Sequence, residues 1–196
     1  MLNNIKNLSL TKKLVYKIVF FIFCLIPFFS GLDSIPPLDR DESRFVQSTY
    51  QMIETNDYIN IKFLDEIRAK KPIGIYWAQS IFANIFGEDK ISSYRYVSTL
   101  GAFITILVLW KFSQILFGQK ASLFVVSASM ISLLFIFESH VAKTDTLLLS
   151  LITLQQFLLL KIILNKEKSI LFDLILPISM WIVLGIGFLI KGPISL

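Results

Sequence analysis

Cysteine, histidine and charge are all scarce in this 196-residue chain: it has one Cys, one His and 17% charged residues. A lone cysteine cannot close an intramolecular disulfide, and Cys24 lies within an apolar stretch, where it packs as a small hydrophobe. No Gly-rich phosphate loop, no metal-spaced Cys/His set and no Ser-His-Asp order occurs, so the usual signatures of nucleotide binding, structural zinc and triad hydrolysis are missing. Internal repeats and low-complexity tracts are missing too. What the chain has is hydrocarbon. It is 55% hydrophobic with a mean hydropathy of +0.68, which excludes a soluble domain of ordinary composition. Its net charge of +5, from 19 Lys and Arg against 14 Asp and Glu, points to cytoplasmic loops and lipid headgroups, with no nucleic-acid signature.

Spanning a bilayer takes about 20 mostly apolar residues in a helix. Five stretches qualify, at 14–32, 94–117, 121–137, 144–164 and 170–190, and they predict an all-α polytopic membrane protein with five transmembrane helices. The first reads as an uncleaved anchor, because Phe28-Phe29-Ser30-Gly31-Leu32 offers no small-x-small cleavage site. Lys6, Lys12, Lys13 and Lys17 precede it, which puts the N-terminus in the cytoplasm. Alternation then leaves the turns at 118–120 and 165–168 inside, and the long 33–93 loop and the 138–143 link outside. The long loop carries eight basic residues counting Arg95 at its exit, but at this length the positive-inside rule weakens. Apolar side chains at helical spacing predict two amphipathic interfacial helices in it, over 43–54 and, started by Pro72, over 72–86. Tyr58, Tyr76 and Trp77 suit headgroup depth, and Lys70 and Lys71 are placed to meet lipid phosphate.

Several charged residues fall on the outer side. In Asp39-Arg40-Asp41-Glu42-Ser43-Arg44, Asp41 and Arg44 are three apart and share a helix face, while Glu42 points elsewhere. The plain reading is a capped helix start, with Asp39 or Asp41 as the cap and Arg44 paired to Asp41. Lys71 before Pro72 is a compact donor suited to phosphate, or else a snorkelling lysine. Asp145 starts the fourth helix and Lys191 ends the fifth; taken singly, each is an ordinary helix-end charge. His140 and Glu138 read as solvated or hydrogen-bonded link residues. Topology nevertheless puts Asp41, Arg44, Lys71, Asp145 and Lys191 on one side of the membrane, so acids and bases can converge there.

The order Asp41-Glu42-x-Arg44, Asn56-Asp57-Tyr58, Lys71-Pro72-x-x-x-Tyr76-Trp77, Arg95, Thr144-Asp145 and Lys191-Gly192-Pro193 resembles the N-terminal part of bacterial GT-C glycosyltransferases, in particular the aminoarabinose transferase and protein O-mannosyltransferase group. The resemblance covers nearly all of residues 1–196 and makes them one N-terminal transmembrane part of such an enzyme. It implies a polyprenyl-phosphate sugar donor, a lipid or protein acceptor and a bacterial inner membrane. It places the catalytic acids on Asp41 and Glu42 and the substrate-binding residues on Arg44, Lys71, Asp145 and Lys191. Lys70 departs from the acid that aminoarabinose transferases tend to carry before the lysine, so neither a metal-free site nor a divalent metal ion is settled by the resemblance. The family's proteins run to several hundred residues, which leaves three further readings: an inactive truncated or split-gene fragment completed by a separate C-terminal polypeptide, a non-enzymatic membrane subunit, or a small channel or transporter component.

Overall fold

A computed structural model of the chain describes residues 25–68, 70–164 and 169–195, together with 15, 19 and 22. Cys24, the lysines before the first span, most of that span and the 165–168 turn lie outside the described residues. Three helical stretches are long and apolar enough to cross a membrane: Ile91–Ile131, Asp145–Leu164 and Phe172–Ser195. Large apolar side chains such as Phe124, Ile131, Ile163 and Trp181 stand exposed along them. That exposure suits lipid rather than water as the surrounding solvent.

The 33–93 loop is folded. Helix α1 (Arg40–Thr55) begins at Asp39, whose carboxylate accepts from the Asp41 N–H at 3.2 Å, and ends at Asn56 in the left-handed region (φ 54°). A two-stranded hairpin follows, β1 (Lys62–Phe63) against β2 (Glu66–Ile67), a small exception to the all-α expectation. Helix α2 (Gly74–Phe86) comes after Pro72 and stops at Gly87. The two helices pack on each other and on the helix that follows. Phe45 and Met52 of α1 pack with Ile75 and Tyr76 of α2 and with Val97 of the next helix in one buried cluster.

Helix α3 (Ile91–Ile131) is 41 residues long and broken at Gly118 (φ 81°), a conformation that glycine adopts without the Cβ clash other residues meet. Ala102 and Ile106 pack with Val126 and Met130. Twenty residues of straight helix would hold Ile106 and Val126 about 30 Å apart. The break is therefore a reversal, and it falls where the sequence predicted a turn. A second interruption at Ser132 separates α3 from α4 (Leu133–Ser139), which the sequence had merged into one span over 121–137. Helix α5 (Asp145–Leu164) packs against α3 at Gly101, where a Cβ would stand 2.7 Å from the Leu147 backbone. Such close approach is what small residues permit between membrane helices. The last stretch opens as a π-helix, Leu171–Ile175, continues as α6 (Leu176–Lys191) and closes in a 3-10 turn, Gly192–Ser195.

Candidate functional site

Glu42 and Arg95 organise the face on which the 33–93 loop meets the helix ends. Their side chains are 0% and 1% exposed, and the Arg95 Nε donates to Glu42 Oε1 at 2.8 Å. The guanidinium also donates to Glu42 Oε2 and to the backbone carbonyls of Leu32, Ile35 and Pro36. Glu42 accepts in addition from the N–H groups of Leu38 and Ala142. Two buried charges are tolerable only when paired and fully hydrogen-bonded, and both are here. The pair thus joins the end of the first span, the start of α1, the first turns of α3 and the link before α5. Every Glu42 bond goes to protein, so its geometry suits holding α1 in place. The sequence quoted Arg95 without a partner; a separation of 53 positions hid the pairing.

Asp41 and Arg44, one turn into α1, remain at the surface. Their Nη1 to Oδ1 distance is 3.6 Å, an ion pair without a hydrogen bond, and Asp41 is about half exposed. Burial pushes the Tyr76 hydroxyl above its ordinary pKa, with Arg68 opposing and the Asp41 charge adding to the shift. Arg68 is itself buried: it donates to the Tyr76 hydroxyl at 3.1 Å and lies over the Phe45 ring.

Two further ion pairs continue the rim, Asp39 with Lys143 and Asp145 with Lys191. The Lys143 hydrogen bond, helped by the Asp41 N–H, holds the Asp39 carboxyl below its usual range. Burial works against charge on Lys143, but the Asp39 hydrogen bond and the Glu138, Asp39 and Asp145 charges outweigh it and raise its pKa. Residues 139–143 are pinned from below, since Ser98 donates to the carbonyls of Val141 and Lys143, Thr99 to Ser139 and Gln79 to Ala142.

Lys71 reaches the same rim through its neighbours. Pro72 lies against Gly192, and a Cβ on Gly74 would come within 2.6 Å of the Leu189 carbonyl, so the start of α2 is seated on the end of α6. Lys71 is half-buried and has no carboxylate partner among the described residues, unlike Lys143 and Lys191. Of the six residues singled out in the sequence, Asp145 and Lys191 are in direct contact, Asp41 and Arg44 face each other, Lys71 adjoins the Lys191 end, and Glu42 turns inward. His140 is hydrogen-bonded as expected, to the Ile136 and Ser30 carbonyls. Glu138 differs from expectation: its Oε2 is buried without a hydrogen-bond partner.

Residues 70–196 match the model of the dolichyl-phosphate-mannose-protein mannosyltransferase family. The chain belongs to this family. Among curated proteins, it is similar to the undecaprenyl phosphate-alpha-4-amino-4-deoxy-L-arabinose arabinosyl transferase of Aeromonas hydrophila, 28% identical over 179 residues, covering 90% of this chain and 31% of the relative. The Pectobacterium atrosepticum protein of the same description is 24% identical over 195 residues, 97% of this chain and 33% of the relative. Solved structures of ArnT from Cupriavidus metallidurans superpose with a TM-score of 0.84 in the apo state (19% identity, 94% of this chain and 34% of that one) and 0.83 bound to undecaprenyl phosphate (20% identity, 91% and 33%). The family and the fold are thus those that the order of motifs predicted, the N-terminal part of a GT-C glycosyltransferase. The chain spans about a third of the length of these relatives.

Proposed function

We propose that this chain forms the lipid-phosphate end of a glycosyltransferase site that moves a sugar from a polyprenyl-phosphate donor to an acceptor hydroxyl or phosphate at the outer face of a bacterial inner membrane. The observation that carries the reading is Lys71, a half-buried cation without a carboxylate partner, seated by the Pro72–Gly192 contact beside the Asp145–Lys191 pair. The relatives' names supply the donor class, undecaprenyl phosphate carrying 4-amino-4-deoxy-L-arabinose. The reversal at Gly118 and the helical residues 25–29 support five crossings, with the N-terminus inside and α1, α2 and the 139–143 link outside.

Sugar transfer from such a donor leaves negative charge on the phosphate and draws positive charge onto the anomeric carbon. Fixed cations at the first and a carboxylate near the second lower the barrier. Arg44 and Lys71 are the cations for the phosphate, and Asp41, exposed and only loosely held by Arg44, orients or deprotonates the acceptor. Asp145 and Lys191 shape the sugar side, and Glu42 positions Asp41 through α1. No step calls for a metal ion.

Undecaprenyl phosphate binding to the chain in lipid nanodiscs tests the phosphate roles. Lys71→Ala and Arg44→Ala should each weaken it about tenfold, the equivalent of one lost charge-assisted contact. Asp41→Asn should leave binding intact and abolish transfer of radiolabelled sugar, assayed with the chain alone and with any polypeptide encoded beside it. Full transfer by Asp41→Asn removes Asp41 from the mechanism, and unchanged lipid binding by Lys71→Ala removes the phosphate site.

A further inference from the structure

We propose that the recess between α4 and α5 is a subsite for a primary ammonium group. Glu138, Asp145 and Thr146 line this cavity of about 280 Å³, with Phe135 and Leu149 among its apolar walls. Two of its polar atoms lack partners among the described residues: Glu138 Oε2 and Thr146 Oγ1, each cut off from solvent. Thr146 is 3% exposed, so its hydroxyl has nowhere else to turn. A buried carboxylate oxygen or hydroxyl left unpaired is costly, and native proteins keep such groups where a ligand meets them.

Charge selects the ligand. Asp39, Asp41, Glu42 and Asp145 each pair with a cation, whereas Glu138 has none within ion-pair distance among the described residues. The lysine whose field it shares, Lys143, is committed to Asp39. The recess is therefore short of one positive charge. A calcium ion would need six to eight oxygen ligands, and a magnesium ion would have to bring several of its own waters, for which these apolar walls offer no partners. A guanidinium needs a planar, bidentate partner in a fixed orientation. An ammonium carries three donors on a compact head, matching Glu138 Oε2, Thr146 Oγ1 and the Asp145 oxygen that Lys191 leaves free. Asp145 ties the recess to the rim on which the donor phosphate is placed, so the two subsites are neighbours. The ammonium comes either from an amino sugar on the donor or from an ethanolamine lipid headgroup.

The probe is methyl 4-amino-4-deoxy-L-arabinopyranoside, titrated by calorimetry into the chain in phosphatidylcholine nanodiscs, which contain no primary amine. Only the choice of sugar rests on the function proposed above. The wild type should bind it at least tenfold more tightly than methyl L-arabinopyranoside, which has a hydroxyl in place of the ammonium. Glu138→Gln should lose about tenfold in affinity for the amino sugar and nothing for the neutral one; Thr146→Val should lose less. A second arm adds phosphatidylethanolamine to the nanodiscs: competition assigns the ammonium to the lipid, and no competition assigns it to the sugar. Equal affinity for the two glycosides, no binding of the amine from either source, or full amine binding by Glu138→Gln overturns the subsite. Undecaprenyl phosphate binding in the same nanodiscs reports on the donor reading separately, since Glu138→Gln leaves it unchanged.

Discussion

Residue by residue, the candidate site divides into charges that are locked and charges that are available. Glu42 and Arg95 have spent all their hydrogen-bonding capacity on each other and on backbone, so they contribute order rather than reactivity. Glu42→Gln leaves Arg95 buried with its counter-charge gone and should cost about 3–5 kcal/mol of stability. Thermal denaturation in detergent measures it, and the double change Glu42→Leu with Arg95→Met should recover much of the loss; an unaltered melting temperature for Glu42→Gln would refute the locked-pair account. Residue-level legibility followed distance along the chain. The Asp39 cap was readable because capping is a three-residue event. The Glu42–Arg95 and Asp39–Lys143 pairs were not, because no local pattern encodes a partner 50 or 100 residues away.

The elements themselves were written in hydropathy, since α3, α5 and α6 cover apolar runs and the turn at Gly118, inside α3, falls between the runs at 94–117 and 121–137. The interruption at Ser132, the π-helix at Leu171–Ile175 and the two-residue strands escaped, because none is long enough to imprint a period on the sequence. Seating of α2 on α6 was equally invisible, although it is what brings Lys71 to the rim. It depends on Gly74 having no side chain. Gly74→Ala must push α2 off the Leu189 carbonyl and should both lower the melting temperature and weaken undecaprenyl phosphate binding at least threefold. Gly185→Ala, where a Cβ meets nothing within 4 Å, should change neither. Loss of stability without loss of lipid binding in Gly74→Ala would uncouple the seat from the site.

For the molecule as a whole, the ion pairs Asp41–Arg44, Glu42–Arg95, Asp39–Lys143 and Asp145–Lys191 gather where the 33–93 loop meets the start of α5 and the end of α6, while large apolar side chains stand exposed both along the spans and on the loop. In a Cys24→Ser background, Glu54→Cys and Gln119→Cys probe the two ends. A membrane-impermeant maleimide added to spheroplasts should label residue 54 and leave residue 119 unlabelled until the cells are broken. Labelling of residue 119 first would invert the proposed orientation. Glu42 reaches Ala142 and Gln79 reaches the same residue, so the 33–93 loop, complete once Arg95 has been made, gains its last ties only when residue 142 follows it. At synthesis rates of about 5–20 residues per second, those 47 residues take about 2–9 s. For that interval Glu42 holds Arg95 but lacks the Ala142 N–H, and this polar face is finished by the arrival of a helix hairpin rather than by the folding of the loop that carries it.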